Sequence, residues 1–391
     1  MIRSSGNAVR PGWPDIVEEQ GLGFHVSVHP EHLTRPYWDE SVHYAFTMDE
    51  ILQLEADVEE LHRMCLAAVD HVVTRERYAD FGIPPWVAPF VRESWKRADP
   101  YLYGRFDLHY DGTGPARLLE YNADTPTALV EAAVAQWHWM QDVHPGLDQW
   151  NSLHERLVDR WAEIAGRLPA GRRGRVHFAW TNADESGEEA LTTAYIQETA
   201  VQAGLATREV ALEDIGWDRS RQAFADLQGD AIAAAFKLYP WEWLVDDAFG
   251  PLVLQNLDRL PWIEPAWKMV LSNKAVLAVL WELYPGHPNL LPAYLNDPGP
   301  LSSYIAKPLL GREGASMRIV TPAGELESRP GDYGAEGMLY QEFVPLPSFD
   351  GQHPVLGTWV VGDGAAGLGI RETSGYITDD TSSFVPHVIR G

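Results

Sequence analysis

The residues best suited to chemistry fall in one short stretch, GRFDLHYDGTGPARLLEYNADTP, from Gly104 to Pro126. Two alternating segments flank Asp111, Gly112, Thr113 and Gly114, a combination that predicts a β-hairpin. A register centred on Thr113 and Gly114 sets Asp107 opposite Glu120 and Arg105 opposite Asn122. Side chains alternate with period two, so all four fall on one face. Carboxylates directly opposite on a sheet repel, with Cβ atoms only ~5 Å apart, and are stable when a cation lies between them. With the amide oxygen of Asn122, Asp107 and Glu120 form a hard, all-oxygen set that suits magnesium or manganese better than zinc. Arg105 stands beside that set, where its guanidinium fork matches phosphate oxygens. The same face could equally be solvent-exposed and laced by salt bridges, Arg105 reaching Glu120 diagonally. The apolar neighbours and the tight Ala123–Thr127 turn tilt the balance towards a site.

Three further segments carry candidate groups. Lys307 precedes a glycine-bearing loop in AKPLLGREGAS, where an ammonium and several backbone N–H groups can surround a triphosphate. The segment lacks the G-K-[ST] of a Walker loop, and Gly311 and Gly314 could simply turn a hairpin. Lys274 opens a helical pattern, SNKAV, where a surface position is the ordinary expectation. In FKLYPWEW, Glu242 lies between Trp241 and Trp243, which suit a core or lobe interface. A carboxylate so flanked has a shifted proton affinity or holds a substrate ammonium.

The elements that must position these groups are legible in outline. Helical spacing runs from about Met48 to Arg77, so the chain opens with helices. VHFAWT, TTAYIQETAVQAG, TREVAL and AIAAAFKLY read as strand, helix, strand, strand, a small α/β lobe. SNKAVLAVLWELYPG reads as a helix stopped by Pro285 and Gly286, and SSYIAKPLLGREGASMRIVTPAG as strand, loop, strand. MLYQEFVPLP and GTWVVGDGAAGLGIRE add strands, and FVPHVIRG is a short tail. At 391 residues the chain exceeds one core, so two or three interlocked lobes are expected.

Composition removes several classes of function. A net charge of -26 argues against nucleic acid as partner and suits a cationic amine such as a polyamine, although solubility alone explains an acidic surface. The single cysteine, Cys65, excludes a disulfide framework and a cysteine zinc site, and its helical setting predicts a buried thiol. No run of ~18 apolar residues and no signal-peptide core occur, so a cytoplasmic protein without membrane contact is expected. Fourteen histidines lack H-E-x-x-H spacing and no G-x-S-x-G elbow occurs, which leaves hydrolases unsupported.

Taken in order, GRFD, LLEYNADTPT, FKLYPWEW, SNKA, KPLLGREGAS and YQEFVPLP resemble the glutathionylspermidine synthase family, and the likeness runs from about Trp13 to His387. The resemblance implies a mixed α/β (α+β) ATP-grasp fold in the permuted, glutathione synthetase-like arrangement. It implies one catalytic unit over 1–391: an N-terminal helical region (1–100), the metal hairpin and following helix (101–150), an α/β substrate lobe (151–260), and the ATP-grasp lid and nucleotide lobe (261–391). The implied reaction uses ATP and magnesium, two ions, to phosphorylate a peptide carboxylate, which an amine then converts to an amide. By motif, Asp107, Glu120 and Asn122 are the implied metal ligands and Arg105 the arginine that stabilises the transferring phosphoryl group. Lys274 and Lys307 are the implied phosphate lysines, Gly311, Gly314, Ala315 and Ser316 the phosphate cover, and Gln341, Glu342 and Phe343 the adenine hinge. Thr125, Thr127, Glu242, Arg312 and Arg371 are the implied substrate contacts. Two departures bear on substrate: there is no paired Cys and His for the amidase domain of bifunctional members, so a synthetase alone is expected, and Thr125 and Thr127 flank Pro126 where the best-known members use serines. A catalytically silent nucleotide-binding regulator and a phosphotransferase that stops at the phosphorylated acid are the competing readings.

Overall fold

The computed structural model describes residues 1–6, 9–28, 34–168, 175–183, 187–379 and 381–390, a mixed α/β structure built on three main sheets. The hairpin sheet is antiparallel and five-stranded, in the order Ser383–Val385, Gly364–Thr373, His353–Val361, Tyr103–His109, Arg117–Asn122. A second five-stranded sheet runs Ala293–Leu295, Met338–Glu342, Tyr304–Pro308, Arg318–Thr321, Gly324–Ser328. The third is parallel, Trp262–Ile263, Ala235–Lys237, Val176–Trp180, Thr207–Ala211, and the connection between Val176–Trp180 and Thr207–Ala211 carries the helix Glu188–Gln202. That is the α/β lobe read from sequence, but AIAAAFKLY yields a strand only at Ala235–Lys237. Its earlier residues follow a turn in which Asp226 accepts the N–H groups of Gln228 and Asp230.

Helical spacing from Met48 becomes one long helix, Met48–Thr74, started by a capping box in which Thr47 and Glu50 exchange side-chain and backbone bonds. Its apolar stripe, with Leu54, Val58, Leu61 and Cys65, shares a core with Phe106, Leu108, Leu118 and Tyr121 on the back of the hairpin. Each such side chain contributes about 1.5–3 kcal/mol by leaving water, so this contact fixes which hairpin face turns outward. Cys65 is fully buried and burial pushes its thiol well up, as an inert packing group requires.

Before Met48 the helical region expected over 1–100 holds one short helix, Trp13–Glu19, among strands. Ile2–Ser5 and Val42–Thr47 are strands, and the C-terminal tail adds a third, His387–Arg390, parallel to Val42–Thr47. A parallel partner so distant in sequence leaves no local periodic signal, so FVPHVIRG reads as a plain tail. Among the described residues no helix is long and apolar enough to cross a membrane.

Candidate active site

The hairpin register holds where it matters and slips elsewhere. Arg105 faces Asn122 and Asp107 faces Glu120 as expected, but beyond Asp107 the register shifts, so Leu108 faces Leu118 and His109 faces Arg117. The residue left over is Leu119. Bulges re-aim groups beside functional sites, and here the Leu119 carbonyl accepts a bond from the Lys307 ammonium at 2.8 Å. The face is not solvent-exposed, since Arg105 and Asp107 are only 7% and 6% accessible. Opposite them on the next strand stands Gly357, where a Cβ would come within 3.1 Å of the Arg105 side chain.

The cation expected between the carboxylates is supplied by side chains. Arg105 Nε donates to Asp107 Oδ1 at 2.8 Å, Arg371 Nη2 to Asp107 Oδ2 at 3.0 Å, and Lys274 Nζ lies 2.9 Å from Glu120 Oε1. Arg105 therefore pairs along its own strand and not diagonally with Glu120. Burial alone would raise the Asp107 pKa, but the two guanidiniums hold it below the usual carboxylate range.

Lys274 is buried, which overturns the surface position expected for it. It donates to the Gly311 carbonyl at 2.7 Å and so ties the glycine loop to the hairpin. Lys307 is buried too and braced by Gln341 Oε1 at 2.8 Å; burial lowers its pKa to about 8. Gly314 has φ 70°, and a Cβ there would meet Ile377 at 2.6 Å, so only glycine seats the loop this closely.

All the sequence-derived candidates except Ala315 and Ser316 line one cavity of about 300 Å³. Ala315 and Ser316 brace the loop instead: Ala315 N–H bonds the Arg312 carbonyl at 2.9 Å, and Ser316 Oγ accepts the Tyr333 N–H at 3.1 Å. At the expected adenine hinge, the N–H groups of Glu342 and Phe343 are already bonded to Pro292 and Ser303. What the cavity adds there is an apolar slot, Ile305, Met317, Phe343, Tyr376 and Ile377, of which sequence reading found only Phe343. Glu188 and Glu189 also line the cavity and were missed. Their only signal is an acidic pair at a helix start, which ordinarily means dipole compensation.

At the opposite end Arg312 approaches Thr125 Oγ1 at 3.3 Å and Glu242 at 3.6 Å, with its guanidinium 4.8 Å above the Trp243 ring. Burial raises the Glu242 pKa despite Arg312, and burial likewise raises that of Glu188, which accepts from Thr127. Trp241 is fully buried and its N–H bonds Asp124, which also meets Lys237 at 2.6 Å, so this buried network locks the α/β lobe to the hairpin.

Comparison with known proteins gives the arrangement a lineage. The family model described as "Glutathionylspermidine synthase preATP-grasp" matches residues 4–390. The chain belongs to the glutathionylspermidine synthase family. A candidate acid–amine ligase of Haemophilus influenzae is 39% identical over 96% of this chain and 97% of its own length. The trypanothione synthetase of Crithidia fasciculata is 30% identical, and the bifunctional glutathionylspermidine synthetase/amidase of Escherichia coli 29%. The chain spans 53% and 59% of those two proteins' lengths. Among solved structures, a glutathione synthetase-like effector of Globodera pallida matches with a TM-score of 0.56 at 12% identity, covering 96% of this chain and 98% of the other, a likeness of fold alone.

Within this family's cavity, magnesium is the ion the donors fit. Asp107 and Glu120 offer two carboxylates and Asn122, 3.4 Å from Asp107, an amide. Among the described residues no group of three or more His, Cys, Asp or Glu could hold a metal. Magnesium commonly takes only one or two carboxylates and completes its shell with phosphate and water.

Two expectations test the assignment of Lys307 and the glycine loop to ATP. The Lys307 ammonium is charged below pH 8 and lost above it, and phosphate favours the charged form. ATP affinity of the free enzyme therefore falls about tenfold between pH 7 and pH 9, and Lys307→Met abolishes that slope in a calorimetric titration. The loop from Leu310 to Met317, tethered through Gly311 and seated at Gly314, exchanges amide hydrogens more slowly when a non-hydrolysable ATP analogue and magnesium are added. Equal protection in both states would remove its role as a phosphate cover.

Proposed function

We propose that this protein is an ATP- and magnesium-dependent ligase that joins the carboxylate of a peptide or amino acid to an amine through an acyl phosphate. The observation that carries this reading is charge placement. A chain with net charge -26 gathers Arg105, Lys274, Lys307, Arg312 and Arg371 around one cavity. Asp107, Glu120 and Glu242 pair with four of them, but among the described residues Lys307 meets only the carbonyl oxygens of Leu119 and Gln341, so a phosphate completes its charge pairing. The hairpin precedes both lysines in sequence, which favours the permuted, glutathione synthetase-like ATP-grasp order.

In this reading the apolar slot receives adenine, and Lys274, Lys307 and the glycine loop hold the phosphates. The bound magnesium, one ion or two, would be held by Asp107, Glu120 and Asn122 and would offset phosphate charge. The acid's carboxylate oxygen attacks the γ-phosphorus while the bond to the β-phosphate oxygen breaks, and Arg105 stabilises the charge that spreads over the transferring group. Amine nitrogen then attacks the acyl carbon and phosphate leaves. Glu242 and Glu188, whose proton affinities burial raises, are suited to hold an ammonium or to take the proton it sheds. Thr125, Thr127, Arg312 and Arg371 orient the acid. A peptide with a polyamine is the substrate pair that the named relatives suggest.

ADP and free phosphate, measured together, separate this reading from its competitors. A ligase forms both in full only with ATP, acid and amine together; a phosphotransferase forms ADP and acyl phosphate from ATP and acid without amine, and a silent regulator forms neither. Glu242→Gln is expected to raise the Michaelis constant of one organic substrate at least tenfold while that of ATP moves less than twofold, because one charge-assisted contact is worth about 1.5–3 kcal/mol. If both constants stay put and the melting temperature falls, Glu242 is a packing group of its own lobe.

A further inference from the structure

The helix Trp241–Asp246 serves two cavities. Glu242 faces the cleft already described, while Trp243 and Leu244 line a second, of about 530 Å³, within the α/β lobe. Its walls include five aromatic side chains, Phe224, Tyr239, Trp243, Phe249 and Trp262. Two of them, Trp243 and Phe249, are 40% and 46% exposed, so large aromatic surface faces water where a core would hide it. Trp262 is 3% exposed, and its indole N–H has no acceptor among the described residues. Buried donors normally find partners, which makes this one a place for a ligand atom or a water.

Among the described lining residues the charged ones are Glu213 and Asp247, with no lysine, arginine or histidine. Glu213 accepts from the Thr181 hydroxyl at 2.6 Å and from the Asn182 N–H at 3.2 Å, and burial together with nearby Asp247 raises the Tyr239 pKa. Neither carboxylate is neutralised by a cation among the described lining residues. Aromatic faces and carboxylates together select one kind of guest, because both attract a cation and the walls bury an apolar body.

We propose that this second cavity binds a small organic ammonium with an apolar body, aryl or alkyl, its charge facing Glu213 and Asp247. Trp243 connects it to the cleft, since the same ring carries the Arg312 guanidinium, so a guest against Trp243 alters the setting of Arg312. The ammonium is either the far end of the amine substrate or a separate ligand. Binding requires no turnover, so this inference stands or falls apart from the ligase reading.

The test uses 2-phenylethylammonium and its neutral counterpart 2-phenylethanol, titrated by calorimetry into the full chain without nucleotide. The ammonium is expected to bind about tenfold more tightly than the alcohol. Phe249→Ala, at a half-exposed position that tolerates truncation, weakens both guests, whereas Glu213→Gln weakens only the ammonium, by about two- to fivefold. Unchanged melting temperatures verify that both variants are folded. Equal binding of ammonium and alcohol overturns the proposal. So does binding that survives Phe249→Ala but is lost in Glu242→Gln, which would put the guest in the cleft. With ATP, magnesium, glutathione and spermidine present, incorporation of the diamine 1,4-bis(aminomethyl)benzene into an amide that both Phe249→Ala and Glu213→Gln suppress marks the cavity as the amine's far end, one nitrogen reacting in the cleft while the other meets Glu213 and Asp247. A change in phosphate release without incorporation, also suppressed by Phe249→Ala, marks a separate ligand.

Discussion

Replacing Asp107 by asparagine is expected to lower turnover by about two orders of magnitude or more, with a far smaller effect on folding. The side chain keeps its shape and still accepts a bond from Arg105 or Arg371, so the hairpin and its buried back, Phe106 and Tyr121, remain packed. What disappears is the charge that faces Glu120 and orients both guanidiniums. An ion brought in with ATP would lose one of its two carboxylates, and the arginines would lose the anion that aims them. Steady-state phosphate release and a thermal melt on the same preparation decide the matter. Wild-type turnover in the variant, or in excess chelator, removes Asp107 from the metal site.

The second large effect is expected at Arg105. Arg105→Met should lower kcat about 10²–10³-fold, a loss typical of removing one preorganised charge-stabilising donor, while the dissociation constant of ATP changes only a few-fold. In the proposed function Lys274 and Lys307 still hold the nucleotide, so the loss falls on the step in which charge moves. Arg105→Lys should restore little, because the fork that reaches Asp107 and the Thr127 carbonyl together cannot be copied by a single ammonium. An Arg105→Met enzyme that loses ATP binding in proportion to activity would make Arg105 a binding group and not a catalytic one.

The half of the hairpin that carries chemistry was legible because its turn and its alternation are local signals. Arg105, Asp107, Glu120 and Asn122 take the pairs that counting from the turn predicts. The bulge at Leu119 was not legible, because it depends on Asn289, whose backbone and side chain bond Leu118 and Ala116, and on Asp57, which holds the Ala116 N–H. Lys274 misled for a related reason. A lysine at a helix start looks like a surface residue until Glu120 and the Gly311 carbonyl, far away in sequence, enclose it.

Ser316, which the resemblance assigns to the phosphate cover, has a hydroxyl that accepts the Tyr333 N–H and braces the loop, a contact no local motif signals. The apolar slot of Ile305, Met317, Tyr376 and Ile377 joins side chains from three separate segments, and scattered apolar residues carry no motif. The strand His387–Arg390 was invisible for the same reason, since its strand partner Val42–Thr47 lies at the other end of the chain.

The acyl phosphate itself is tested most directly by oxygen labelling. Glutathione labelled with ¹⁸O in its carboxylates is incubated with ATP, magnesium, spermidine and the enzyme, and the phosphate and any amide are weighed by mass spectrometry. The account predicts ADP as the nucleotide product and one ¹⁸O in each phosphate released per amide formed. Unlabelled phosphate, or AMP with pyrophosphate that carries the label on AMP, would contradict it.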